Sequence, residues 1–261
     1  MRRTVGAVDH FVKTRAPAAP GSIPAALDMF RAEVRFYREV APIVGVRVPA
    51  CYRAEDTPDG TRLELEDLSA WAEGADLAAY ARMLAAMHRR WAGRASVQWP
   101  WLRRAWAATD LVGELFDRTW PMLAARPDMT SPVRNLGESL VGRVVEVEAA
   151  GALAGPVTLV HGDASSRNVR TSPTGELALV DWEDVSAAPG ITDLAWLLIC
   201  STAPAQWAEV IVAYEDADNL AVMLPPAAVQ GMLSLADTAP ESANAAGWID
   251  RLTAATLLLA E

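Results

Sequence analysis

Cys51 and Cys200 are the only two cysteines in 261 residues, and they share no metal-ligand spacing. That argues against a disulfide-stapled scaffold and a cysteine-ligated zinc site, and leaves two buried thiols as the expectation. Long apolar runs are missing too. The best candidate, LAWLLIC at 194–200, falls far short of the ~20 residues that a membrane-spanning helix needs. The opening stretch MRRTVGAVDHFVKT reaches Asp9, His10 and Lys13 before any sustained apolar segment, so no secretory signal is expected. Nor is there an excess of positive charge. With 23 Lys+Arg against 33 Asp+Glu the formal net charge is −10, which argues against a nucleic-acid partner held by phosphate neutralisation. These absences predict a reduced, cytoplasmic protein with no membrane or nucleic-acid partner. The acidity suits a cationic small molecule, and serves solubility equally well.

What is present divides near Leu68. The first 70 residues alternate short apolar runs with turns, whereas the rest is rich in alanine, leucine and tryptophan at helical spacing, so two lobes are predicted, 1–68 and 69–261. In the first, 8–14 reads as a strand and 16–22 as a loop. A helix then starts at Ser22 and Pro24, lays Met29, Phe30, Val34, Tyr37 and Val40 along one face, and ends at Pro42. Segments 48–55 and 61–68 flank Pro58-Asp59-Gly60 as a hairpin. In the second lobe helices are predicted over 76–91, 102–125 and 131–150, the last two separated by Arg126-Pro127-Asp128. Strands follow at 157–163 and 176–184, and then helices at 192–201, 205–217, 225–237 and 244–260. His88 is expected on a helix face, and most of the ten tryptophans in the core.

The chemistry concentrates in His161-Gly162-Asp163-Ala164-Ser165-Ser166-Arg167-Asn168 and, after an apolar run, Val180-Asp181-Trp182-Glu183. An aspartate followed five positions later by an asparagine can present both side chains from one loop to a metal-bound phosphate. Asp181, leaving a neighbouring strand, supplies a second hard oxygen ligand. Magnesium suits such a set, because it takes one or two carboxylates and fills its other positions with water and phosphate oxygens. Asp163 is then left for the nucleophile. Turn and cap roles compete for these three residues, since Asp and Asn favour such positions. Serine hydrolysis has Ser165 and Ser166 behind the aspartate but no G-x-S-x-G elbow.

HGDxxxxN with a downstream DWE resembles the aminoglycoside phosphotransferase and choline kinase superfamily, relatives of protein kinases by fold. Protein kinases carry HRDxxxxN and DFG at these places. The resemblance extends to Gly190-Ile191-Thr192-Asp193-Leu194-Ala195, similar to the family segment whose aspartate braces the catalytic loop. It also extends to LELEDLS (63–69), which looks like the strand entering the hinge, and to RAEVRFYREVAP (31–42), which looks like the N-lobe helix. The resemblance implies an α+β, protein-kinase-like two-lobe fold with a small, shortened β-rich N-lobe and a large helical C-lobe. It implies a magnesium-dependent phosphotransferase that uses ATP or GTP and a hydroxyl of a small molecule, an aminoglycoside or another natural product.

Carried over to this chain, the resemblance assigns Asp163 as the catalytic base or hydroxyl-orienting group, and Asn168 and Asp181 as magnesium ligands. Lys13, held by Glu33, pairs with nucleotide phosphates, and the base sits against 66–69, with Glu66 and Leu68 as binding residues. His161 organises the loop, and Trp182 and Trp196 pack around it. Acceptor choice falls to 95–150 and 204–261, where Glu209, Glu215, Asp216, Asp218 and Glu241 favour a cation or are ordinary surface charges. Only twelve residues precede Lys13, with Gly6 the single glycine among them, where the family has two strands and a phosphate-covering turn. Three readings stand open: the chain starts late relative to the usual N-lobe, a minimal lobe covers the phosphates with segment 4–7, or nucleotide binding is impaired. The shortening also keeps open a noncatalytic pseudokinase that binds a ligand or a protein.

Overall fold

A computed structural model describes residues 10–104 and 107–260. The chain forms two units, one ending at Ala75 and resuming over Arg167–Val185, the other made of Asp76–Ser166 and the chain from Ser186 onward. Segment 4–7, one candidate to cover phosphates, lies outside the described residues.

In the first unit, β1 (His10–Arg15), β2 (Cys51–Thr57) and β3 (Gly60–Glu66) form an antiparallel sheet in the order β1-β3-β2. Thr57 pairs with Gly60, so Pro58 and Asp59 make the turn that the sequence predicts. Only glycine fits position 60: its φ is +127°, and an added Cβ would stand 2.1 Å from the Arg15 carbonyl oxygen. Phe11 pairs with Leu65, Lys13 with Leu63 and Arg15 with Thr61. Directly opposed residues share a face, so Lys13 and Arg15 lie on the side that buries Leu63 and Leu65.

The helix expected from Ser22 to Pro42 is three pieces. Ser22 caps α1 (Ile23–Ala26) by accepting from the Ala25 N–H. Asp28 then takes a left-handed φ of 51° before α2 (Met29–Arg35), and Phe36–Val40 widens into a π-helix. Aspartate is among the few residues that tolerate the left-handed region, so the break costs less here than elsewhere. Glu33, Val34, Phe36, Tyr37 and Val40 are buried. A second small sheet joins Ala72–Glu73, Val169–Thr171 and Leu177–Leu179. The strand expected over 176–184 pairs regularly only to Leu179: the Val180 N–H donates to the Asn168 carbonyl, and Asp181 turns left-handed at φ 64°.

The second unit opens with α3 (Leu77–Trp91), whose first turn is capped by Asp76 accepting from the Ala79 N–H at 2.7 Å. Tyr80, Ala81, Leu84 and Met87 bury at helical spacing, as the sequence predicts. The helices expected over 102–125 and 131–150 shorten to Thr109–Ala124, Ser131–Leu140 and Val144–Gly151. The last two are parted at Gly142, whose φ is 71°. Arg126 and Asp128 of the predicted breaker form a 2.8 Å ion pair. The Arg126 guanidinium also donates to the carbonyls of Leu235 and Thr238. A third sheet has Ser186–Pro189 between Arg103–Arg104 and Val157–Val160. Helices Ile191–Ser201, Trp207–Tyr214, Leu220–Ala236 and Ala243–Leu258 complete the unit. Leu220–Ala236 runs through Pro225 and Pro226, where the sequence reading starts it. Its buried Leu224, Ala228, Val229 and Met232 show packing overriding local propensity. Among the described residues no helix is long and apolar enough to cross a membrane.

Glu148, on the Val144–Gly151 helix, is partly buried, and burial pushes its carboxyl up to about 7. A native pKa above the unfolded one stabilises the fold at low pH, and that stabilisation is lost as pH rises through the native value. Glu148→Gln should therefore match the parent below pH 5 and exceed its stability at pH 8 by about 1–2 kcal/mol, allowing for partial exposure. Urea unfolding at the two pH values measures this, and an equal difference at both would refute it.

Candidate active site

The first unit contains a cavity of ≈ 580 Å³ lined by β1, by Glu33 and Tyr37, by the end of β3 and residues 67–69, and by Asn168, Arg170, Val180 and Asp181. Lys13 sits at its centre of charge. The ammonium lies 2.7 Å from Glu33, 2.6 Å from Asp181 and 3.2 Å from Glu183. Burial opposes the lysine charge, but the Glu33 and Asp181 carboxylates outweigh it and hold Lys13 above the ordinary lysine value. Burial likewise pushes Glu33 up to about 7, restrained by Lys13 and assisted by the charges of Asp181 and Glu183. Arg15, two residues on along β1, reaches Glu183 at 3.2 Å.

Local structure explains this convergence. Val169 pairs with Leu179 at the end of a short hairpin, which sets Asn168 and Asp181 at the same end of it. Trp182 is fully buried and stacks on Phe36, centroids 4.0 Å apart and planes 11° apart. Its indole N–H donates to the Leu179 carbonyl at 3.4 Å. The helix that carries Glu33 is thereby packed against the turn that carries Asp181.

At the cavity's other side, both Glu66 carboxylate oxygens accept from Arg47 at 2.6 Å, and one also accepts from the Ala50 N–H at 3.0 Å. The Glu66 N–H donates to the Ala50 carbonyl, and the Leu68 carbonyl accepts from Trp71. Asp67 accepts from the Ser69 N–H at 2.8 Å. Glu66 thus anchors the end of β3, while buried Leu68 offers the cavity an apolar wall.

In the second unit, Asp193 is fully buried and accepts the His161 N–H at 2.8 Å, the Gly162 N–H at 2.9 Å and the His88 Nε2 proton at 3.0 Å. Burial alone would raise its carboxyl, but His88, His161 and the hydrogen bonds hold it below the ordinary value. His88 lies on α3 as expected and is a buried bridge whose Nδ1 lies 2.8 Å from the Tyr214 hydroxyl. Gly190 makes room for it, since a Cβ there would meet the His88 ring at 2.7 Å. The His161 Nδ1 accepts the Asp163 N–H at 3.3 Å, in keeping with a loop-organising role. Asp163 itself accepts from the Trp196 indole at 2.6 Å, so Trp196 fixes a carboxylate as well as packing.

The donor chemistry fits the groups expected of it. Glu33, Asp181 and Glu183 each turn an oxygen to one region, the atoms all within 4.8 Å of one another, and the Lys13 ammonium neutralises it; Asn168 and Asp181 on the cavity wall carry the hard oxygen donors that magnesium takes. Of the residues singled out in the sequence, Lys13, Glu33, Glu66, Leu68, Asn168 and Asp181 line the same cavity, and Asp163 stands on the second unit's loop. Arg15 and Arg170 were not singled out, and Tyr37, a helix-face residue in the sequence, and Glu183, part of its DWE motif, carried no site role there. The alternation of Lys13 and Arg15 and the one-turn spacing of Glu33 and Tyr37 were the available signals.

The phosphotransferase enzyme family model matches residues 2–226. No curated protein matches the chain. Similar folds occur in the choline kinase LicA from Streptococcus pneumoniae, at 17% identity over 95% of this chain and 86% of that chain, TM-score 0.55. An aminoglycoside phosphotransferase from Alicyclobacillus acidocaldarius has 15% identity over 96% and 84%, TM-score 0.53. The spectinomycin phosphotransferase APH(9)-Ia, in complex with ADP and spectinomycin, has 10% over 94% and 84%, TM-score 0.52. The fold is the α+β, kinase-like one that the motifs imply.

Asp193→Ala should strand three donors, two of them buried, and cost at least about 3 kcal/mol of stability. Urea unfolding reads this directly; a loss under 1 kcal/mol would contradict the bracing role.

Proposed function

The chain belongs to the phosphotransferase enzyme family, and on that premise we propose that it transfers the terminal phosphoryl group of ATP, with magnesium, to a hydroxyl of a small molecule. The observation that carries the reading is the Lys13–Glu33 pair at 2.7 Å, in one cavity with Asn168 and Asp181. Lys13 binds nucleotide phosphates and is oriented by Glu33. Asn168 and Asp181 hold magnesium, which when bound neutralises charge on the phosphate oxygens. The base rests against Leu68 and the backbone of 66–69, which Arg47 steadies through Glu66. Asp163, oriented by Trp196, aligns the acceptor hydroxyl and takes its proton as the new O–P bond forms and the bond to the leaving diphosphate breaks.

The ADP in the spectinomycin phosphotransferase complex supports ATP over GTP. The acceptor is sought among amino alcohols, aminoglycosides and other hydroxyl compounds, bound by 95–150 and 204–261. The setting inferred is the cytoplasm, where the free thiols Cys51 and Cys200 stay reduced.

Calorimetry with ATP or GTP plus magnesium tests the reading. The parent is expected to bind ATP, and Asp181→Ala to weaken that binding about 100-fold. Asp163→Ala is expected to keep nucleotide affinity but lose roughly 10²–10⁴-fold in acceptor-dependent turnover. A folded parent that binds neither nucleotide would favour a noncatalytic relative.

A further inference from the structure

Arg15 stands two residues beyond Lys13 on β1, so the two side chains leave the same face of the strand. Both reach one atom: Lys13 Nζ and Arg15 Nη2 each lie 3.2 Å from Oε2 of Glu183. The two cations are therefore immediate neighbours, and Arg15 lines the same cavity as Lys13, Asn168 and Asp181. They are committed to very different degrees. The ammonium has three N–H groups and three carboxylates around it, Glu33 at 2.7 Å, Asp181 at 2.6 Å and Glu183 at 3.2 Å. The guanidinium has five N–H groups, and among the described residues it spends one of them, on Glu183. Its carbon lies 5.3 Å from the centre of the Phe30 ring, a contact that steadies the group without consuming a donor. The Arg15 side chain is 42% exposed against 14% for Lys13, so its unused donors are open to a ligand arriving from solvent. An ion pair this exposed contributes little to stability. Three carboxylates surround the two cations, and an anion entering beside them needs every positive charge the cluster has.

We propose that Arg15 is a second phosphate-binding cation of this cavity, giving its unused N–H groups to the phosphate chain of the nucleotide while Glu183 holds it in place. The inference rests on the phosphotransferase reading and adds a residue to it. With Asp181 engaged on magnesium, Lys13 gains one donor for a phosphate oxygen. Arg15 brings several, in a planar fork that can take two phosphate oxygens at once. Because Glu183 ties both cations to one oxygen, Arg15 acts beside Lys13 on the phosphates and leaves the base to Leu68 and the backbone of 66–69.

The test is calorimetry with ATP, ADP and adenosine, each with magnesium, on the parent, Arg15→Gln, Glu183→Gln and the double variant, with thermal unfolding as the check of folding. Arg15→Gln is expected to unfold near the parent's temperature, to bind ATP about tenfold more weakly and to bind adenosine unchanged. A loss for ATP alone assigns the contact to the terminal phosphate, and an equal loss for ADP assigns it to the inner two. The loss is expected to persist when Arg15→Gln is made in Glu183→Gln, because the contact is to the ligand and not to the carboxylate. Should Arg15→Gln fail to fold, Arg15→Lys keeps the charge without the fork and is expected to show the same ligand pattern more weakly. If the parent binds ATP and folded Arg15→Gln binds it equally well, or if the loss vanishes in Glu183→Gln, the inference is overturned while the phosphotransferase reading stands. A parent that binds no nucleotide sinks both.

Discussion

Much of the first unit is arranged around one ammonium group. Lys13 leaves the middle strand position of β1 into a region where Glu33 is almost wholly buried and Asp181 and Glu183 approach within 3.2 Å. A buried carboxylate without a counter-charge is costly, and so is a buried ammonium; each makes the other tolerable. Three elements must be held in register for that compensation to work. The β1 pairing with β3 aims Lys13, α2 and its π-helical extension place Glu33, and the hairpin ending at Asn168 and Val180 delivers Asp181. The Phe36–Trp182 stack links the second of these to the third without using any charge. Asp181 adopts a left-handed backbone conformation at the point of convergence, one that aspartate tolerates better than most residues.

The second unit solves a related problem with a different partner set. Asp193 is buried as an anion, and its charge is satisfied by two consecutive backbone N–H groups and a histidine rather than by a lysine. Fixed backbone dipoles cannot swing away as a long side chain can, so the loop from His161 to Asp163 is set firmly. The support continues outward through His88 to Tyr214, and inward through the glycine at 190 that lets the His88 ring approach. Asp163 is then oriented by an indole N–H, a donor that holds a carboxylate without adding charge beside it.

The free energy of these sites resides in few residues. Around each hub the packing is ordinary: Leu63, Leu65 and Val34 on one side, Leu159, Leu194 and Leu197 on the other. Such apolar contacts supply stability in proportion to buried area and do not choose a geometry. The charged hubs choose it, because a carboxylate oxygen that misses its donor by an ångström loses most of the bond while retaining the full cost of burial.

The spacing of His161, Asp163, Asn168 and Asp181, the hairpin at Pro58-Asp59, and the helix beginning near Asp76 were legible in the chain itself. Each is a local rule, in which a turn type, an apolar period or a loop length acts within one short stretch of chain. The family and the kinase-like fold followed from those motifs. Lys13 and Glu33 could be paired only by resemblance, since neither stands in a local pattern that distinguishes it from a surface charge. Other features depended on tertiary packing alone: the break at Asp28, the π-helix, the burial of His88 against Gly190, and the helix that continues through Pro225 and Pro226. By itself the sequence determined which chemical groups the protein owns and which loops and caps present them. Tertiary structure decided which of those groups lose water together, because desolvation depends on neighbours distant in the chain, and desolvation is what turns a charged or polar side chain into part of a site.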